Sequence, residues 1–281
     1  MRRPLIHTHD APAASAPTDA VDSLQRGLEV LRCFNPGDDA LDTGELAKRL
    51  SLSRPTTRRL LDTLEHHGFL LRVPGTDKFG LHVSCLIVGQ AVLGSSVLVK
   101  AARPLLQPFA ERLGVNVLAC VQERSELMVL AQSTAAGAPA GAPGPGMRLP
   151  VAGSALGHAW LWKQTAQVQA TWLAQFRNAV GSAAGAGASQ AAAVYRAFQE
   201  LEERGVCQAP DTGRRDVTCF AAPVALPGGA VAVIGCMRTD GGGRDRARLE
   251  RECAAALAQL GLALADEAGR IRARRSGHAP A

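Results

Sequence analysis

Only three residues, Ser51-Leu52-Ser53, separate two short helical patterns, and few arrangements of helices tolerate so short a joint. Asp42-Thr43 supplies cap-type residues ahead of the first helix, Gly44 to Leu50, which buries Leu46, Ala47 and Leu50. The second helix starts with Ser53 as its cap and Pro55 in the first turn, where a missing N–H costs nothing. It turns Thr57, Leu60, Leu61 and Leu64 inward and runs to His67, with Gly68 placed for a left-handed stop and Phe69 for folding back on the helix end. An earlier helix is marked by Val21, Leu24, Leu28 and Leu31 along one face and stopped by Asn35-Pro36-Gly37. After Gly68, Phe69 to Val73, the turn Pro74-Gly75-Thr76-Asp77 and Lys78 to Leu81 read as a hairpin. The pattern predicts a helix-turn-helix followed by a β wing.

Charge gives this module a direction. Lys48, Arg49, Arg54, Arg58 and Arg59 fall between positions 48 and 59 with no acidic residue among them. Residues 1–80 as a whole hold eleven basic and eleven acidic side chains, so the positive charge is focused rather than general. The start of a recognition helix enters the major groove, where arginine reads guanine edges and hydroxyls reach bases or phosphates. The expected DNA-contacting set is Ser53, Arg54, Thr56, Thr57, Arg58 and Arg59, with Lys78, or Arg72, reaching the backbone from the wing. The plainer alternative is a three-helix module with a solvated basic face. A second basic cluster, Arg270, Arg272, Arg274 and Arg275, reads as a solvated helix end or tail.

The chain of 281 residues, 47% hydrophobic, has material for two packed domains. Its seven cysteines are odd in number and hold no C-x-x-C pair, which argues for reduced thiols and against a disulfide framework or zinc site. Residues 1–20, rich in Ala, Pro, Ser and Thr, lack the apolar run of a signal peptide and read as a flexible tail. No apolar segment is long enough to span a bilayer, so the expectation is a cytoplasmic protein without a membrane partner.

Beyond the wing the chain resembles the IclR family of regulators as well as within it. The carrying stretches are V-D-S-L-Q-R-G-L-E-V-L-R-C-F (21–34), G-E-L-A-K-R-L-S-L-S-R-P-T-T-R-R-L-L-D-T-L-E-H-H-G-F-L (44–70), K-F-G-L (78–81), M-R-L-P-V-A-G-S-A-L-G-H-A-W-L (147–161), E-E-R-G-V (202–206) and C-F-A-A-P-V (219–224). The resemblance implies an α+β chain: a winged helix-turn-helix over 21–82, a linker helix over 83–96 and a GAF-like effector-binding domain with a central antiparallel sheet over 97–270. Residues 271–281 are left as a basic tail. It further implies homodimers or homotetramers acting on palindromic double-stranded DNA, with a small-molecule effector and no cofactor.

In the second half, Val83 to Val92 is apolar and helical. A following helix carries Leu98, Ala102, Leu105, Leu106, Phe109 and Leu113, with Pro104 and Pro108 expected to bend or restart it. So apolar a helix packs either on a partner subunit or within the chain. Val115 to Val121 alternates as a half-buried strand and Leu127 to Ala131 is a more buried one. Ala135 to Gly146 and Gly181 to Ser189 are low-complexity loops, the first expected to be exposed. Ser154 opens a helix to about Trp162, another helix runs to Arg204, Val217 to Val224 and Ala230 to Met237 are central strands, and a closing helix follows Arg244. The helix start at Ser154, Ala155 and Leu156 offers backbone N–H groups to a carboxylate. By the resemblance, this turn lines an effector pocket together with Val217, Cys219, Gly235 and Met237. Gly235 and Met237 stand where relatives often carry serines, and Ala209 stands near where an aspartate can occur. Fewer polar groups suggest an aromatic acid rather than a small 2-oxo acid; an ordinary core role for each residue is the alternative.

Catalysis has little to stand on. Ser154 and His158 lie four apart on one helix, but no G-x-S-x-G elbow or orienting acid accompanies them. His66 and His67 are adjacent, a poor metal geometry, and no Walker or dinucleotide pattern occurs. An enzyme using the C-terminal pocket and a dimerisation protein that ignores DNA remain the alternatives, and neither should give a sequence-specific, salt-sensitive gel shift.

Overall fold

The computed structural model describes residues 21–35, 37–179, 186–211, 216–239 and 246–275. The chain divides into two compact units, the first ending at Ser95 and the second beginning at Ser96. The expected tail at 1–20, part of the loop at 181–189 and residues 276–281 lie outside the described residues.

The first unit runs α1 (Asp22–Arg32), β1 (Leu41–Asp42), α2 (Thr43–Leu50), α3 (Arg54–His66), β2 (Leu70–Arg72), β3 (Lys78–Leu81) and α4 (Cys85–Ser95). Its sheet has the order β1-β3-β2, antiparallel throughout. Local chemistry sets the helix ends. Asp42 caps α2 through Glu45 N–H at 2.8 Å, and Ser53 caps α3 through Thr56 N–H at 3.3 Å. Gly68, at φ +73°, donates to Glu65 O while Phe69 N–H reaches Leu64 O, closing α3 with two carbonyls satisfied. Val30, Phe34, Leu41, Leu46, Leu61, Leu70 and Phe79 form the core.

On the apolar face of α1, Val21, Leu24 and Leu28 are 63%, 61% and 52% exposed, and the chain packs here through Val30, Leu31 and Phe34. On α4, Leu86, Ile87, Val88 and Val92 are likewise exposed.

The second unit runs α5 (Val97–Leu113), β4 (Asn116–Glu123), β5 (Glu126–Thr134), β6 (Arg148–Pro150), α6 (Ala155–Trp162), α7 (Ala166–Ala179), α8 (Ala186–Arg204), β7 (Cys207–Pro210), β8 (Val217–Ala225), β9 (Val231–Thr239) and α9 (Arg246–Arg275). One antiparallel sheet, β6-β5-β4-β9-β8-β7, carries α5 and α9 on one face and α6, α7 and α8 on the other. The fold is α+β.

Several expectations need revision. Pro104 and Pro108 do not interrupt α5, and both sit on its exposed side. This helix packs within its own unit through Leu98, Ala101, Ala102, Leu106, Phe109 and Ala110. β4 is buried from Asn116 to Cys120 without alternation, since it is an interior strand covered on both faces. The loop after β5 is not freely solvated: Pro139 and Pro143 are buried, and Asn116 Nδ2 donates to Pro139 O at 2.6 Å. Residues 271–275, expected as tail, continue α9. β1, β6, α7 and β7 were not anticipated. No single helix among the described residues is long and apolar enough to cross a membrane.

α6 is buried from Ala155 to Leu161, which makes it sensitive to volume and charge. A Cβ on Gly157 would stand 2.0 Å from Val151 O, a backbone atom that cannot swing away. Gly157→Ala is expected to cost about 1–3 kcal/mol or more in a denaturant titration. His158 is buried with neither ring nitrogen partnered among the described residues, and burial pushes its pKa down to about 4. The unfolded chain therefore takes up this proton first as pH falls from about 6.5 towards about 4, so stability is full above that window and lost across it. Wild type should lose more stability than His158→Leu between about pH 7 and about pH 5, by chemical denaturation at each.

Candidate nucleic-acid interface and effector site

The acid-free run of α2 and α3 is answered in space by acids from elsewhere. Arg58 Nε donates to Asp62 Oδ1 at 2.9 Å, and its Nη1 donates to Asp77 Oδ1 in the wing turn at 2.5 Å. Arg72 of β2 donates through Nη2 to Asp62 Oδ1 at 3.0 Å and to Glu65 Oε2 at 2.9 Å. Both guanidiniums stand over the buried Phe79 ring, Arg72 at 4.6 Å and Arg58 at 5.6 Å from its centre. The Glu65 and Asp62 carboxylates raise the pKa of Arg72 above its ordinary value. Arg72 thus ties the wing to α3 rather than standing ready for a phosphate.

The other expected contact residues divide by exposure. Arg54, Arg59, Ser53 and Lys78 are exposed, and Thr56 and Arg58 are half-buried. Arg54 lies against Gly44, where a Cβ would meet its Nη2 at 3.0 Å. The Asp42 carboxyl is held below the usual carboxylate range, chiefly by the Glu45 N–H. Thr57 is the exception: it is fully buried and its hydroxyl donates to Ser53 O at 3.0 Å, so it braces the helix start instead of facing outward. Sequence reasoning overlooked Asp62, Glu65 and Asp77. The Arg58–Asp62 spacing of four was the available signal.

In the second unit, Ser154 caps α6: its Oγ accepts from Gly157 N–H at 3.0 Å and donates to Pro150 O at 2.6 Å. Its hydroxyl is therefore not paired with His158. Ala155 and Leu156 are buried behind it. Sheet register aligns Ala209, Cys219 and Met237 in one row, and sets Gly235 beside Ala221 and Leu118, on the face that α6 covers. Leu156 fills the space over Gly235, where an added Cβ would lie 2.8 Å from Leu156 Cδ2 and 2.9 Å from Phe220 O. Val217 is fully buried two residues before Cys219. The Cys219 thiol lies 3.8 Å from Asp211 Oδ2, and burial followed by this carboxylate pushes its pKa up to about 12. Asp211, which the sequence reading did not single out, is the acid beside Cys219. A separate surface groove of about 300 Å³ is lined by Arg204, Gln208, Glu250, Arg251 and Ala254, none of them an expected site residue.

His66 and His67 meet edge to face at 5.2 Å, and no group of His, Cys, Asp and Glu among the described residues is arranged to hold a metal ion. All seven cysteines are free thiols.

Residues 23–74 match the model of the IclR helix-turn-helix domain. The chain is 31% identical to the transcriptional repressor IclR of Escherichia coli over 125 residues, 44% of this chain and 43% of that protein. It is 25% identical to the regulator XynR of the same organism over 205 residues, 73% of this chain and 80% of that one. The match spans about two fifths of the length of the first curated relatives. The crystal structure of an IclR family transcriptional regulator from Brucella abortus superposes with a TM-score of 0.79 at 26% identity, covering 92% of this chain and 96% of that one. An IclR homologue from Microbacterium hydrocarbonoxydans, complexed with 4-hydroxybenzoate, shares the fold at a TM-score of 0.69 and 20% identity, over 88% of this chain and 99% of that one. These relatives are transcriptional regulators by name. Residues 23–74 thus carry a helix-turn-helix of the IclR type, and the chain as a whole is similar in fold to IclR family transcriptional regulators.

Proposed function

We propose that this regulator binds a palindromic operator through α3 and the wing, and that a small organic acid in the second unit modulates that binding. The observation that carries the DNA reading is the cationic start of α3, with Arg54 and Arg59 exposed beside an exposed Lys78 on β3. Ser53, Thr56 and Arg58 complete the contact surface. Two copies would set their recognition helices in successive major grooves about one turn apart, or a multiple of it. The exposed Val21, Leu24 and Leu28 of α1 and Ile87, Val88 and Val92 of α4 support a homo-oligomer, because isolated apolar rows of this length are costly to leave in water. The free thiols fit a reducing compartment, the cytoplasm.

For the effector, the first-turn N–H groups of Ala155 and Leu156 offer a carboxylate seat, with Leu156 against Gly235 and with Val217, Cys219 and Met237 on the same two strands. The aliphatic and thioether lining favours an aromatic acid, a reading supported by the Microbacterium protein, which is complexed with 4-hydroxybenzoate. To regulate, the acid must bind one arrangement of the DNA-binding units better than another.

A gel shift with the protein's own upstream DNA should give a specific band that weakens steeply with salt. Arg58→Ala should weaken operator binding by about 1–3 kcal/mol and relax specificity at one base pair; equal losses on operator and random DNA would assign Arg58 to a phosphate. In a thermal-shift screen, benzoate-type acids should stabilise the protein more than glyoxylate or pyruvate. The reverse order refutes the aromatic reading.

A further inference from the structure

We propose that Asp77, at the tip of the wing, is a specificity-determining residue: its carboxylate competes with DNA for Arg58 and yields only to a base edge that offers two acceptors. The proposal rests on the DNA-binding reading above.

A bidentate contact to guanine uses two nitrogens on one edge of the guanidinium. On the Nε/Nη2 edge of Arg58, Nε is engaged by Asp62, and on the Nη1/Nη2 edge, Nη1 is engaged by Asp77. Arg58 cannot present a fully free edge until one carboxylate lets go. The two acids differ in how firmly they are held. Asp62 sits one turn further along α3 and is gripped a second time by Arg72. Asp77 is nineteen positions away in the wing turn, 60% exposed, and among the described residues its ion pair is with Arg58 alone. Asp77 is therefore the partner that releases.

Release does not free the wing. Arg72 remains bound to both Asp62 and Glu65 and lies closer over Phe79 than Arg58 does. The network thus separates two jobs: Arg72 anchors the wing and Arg58 changes partner. A base pair with two well-placed acceptors replaces what Arg58 loses; a wrong base does not, and Arg58 stays with Asp77. Discrimination then arises from an alternative partner inside the protein as well as from the contact to DNA.

The test is equilibrium binding of full-length wild type, Asp77→Asn, Arg58→Ala and the double variant to the protein's own upstream DNA and to an unrelated duplex of equal length. Asparagine keeps the turn preference of aspartate while removing its charge. Asp77→Asn should tighten binding to both duplexes, more so to the unrelated one, so that the specificity ratio falls about two- to fivefold, the size an exposed ion pair supports. In the Arg58→Ala background the same change should leave the ratio unmoved. A ratio that still falls there shows that Asp77 acts without Arg58 and overturns the proposal. So does an unchanged ratio in the single variant, or weaker operator binding, which would mean that Asp77 aims Arg58 at DNA. Should wild type fail to distinguish the two duplexes, the DNA-binding reading itself fails, and this proposal with it.

Discussion

The ring of Phe79 is where the wing is fastened to the rest of the DNA-binding unit. It sits on the middle strand of the small sheet, opposite Leu41 on one side and Arg72 on the other, and is wholly buried. Its face supports the guanidiniums of Arg58 and Arg72, which reach the acids of α3 and the wing turn from there. An apolar anchor thus fixes the spacing between helix and hairpin, and the ion pairs above it fix their angle. Exposed pairs of this kind add little stability singly. Their value lies in geometry, because α3 and the wing must present one surface together.

Much of this unit was legible because its signals are local. Ser53, Pro55 and Gly68 each act within a few residues, and the structure ends α3 where they say. The α1 stripe marked the helix but not its burial, because helical spacing tells that a face is apolar and not what covers it. Thr57 shows a related limit: hydroxyls at the start of a recognition helix read as contacts, yet this one turns back to the carbonyl of Ser53. The acids that surround Arg58 come from the next helical turn and from the wing, and only folding brings the latter near.

The second unit was less legible for a different reason. Strands of three or four residues such as β6 and β7 carry almost no pattern, and pairing with a distant partner is what makes them strands. β4 lost its alternation to burial on both faces. Pro104 and Pro108, ordinarily breakers, both fall on the solvent side of α5, four residues apart, and do not interrupt it. Among the candidate site residues, Cys219, Gly235 and Met237 share one face of the sheet, since β8 and β9 run in the register that sets Cys219 against Met237. The acid beside Cys219, Asp211, was not singled out, because only the pairing of β7 with β8 brings the two together.

The cap of α6 carries a last implication. A serine hydroxyl has a single proton, and that of Ser154 is committed to the carbonyl of Pro150 while its lone pair receives the amide of Gly157. An arriving molecule therefore meets an oxygen with nothing to give. Whatever anionic group settles at this helix end must take its donors from the main chain, whose directions are set by the backbone and do not rotate to suit the guest. Shape, more than side-chain chemistry, then selects what fits.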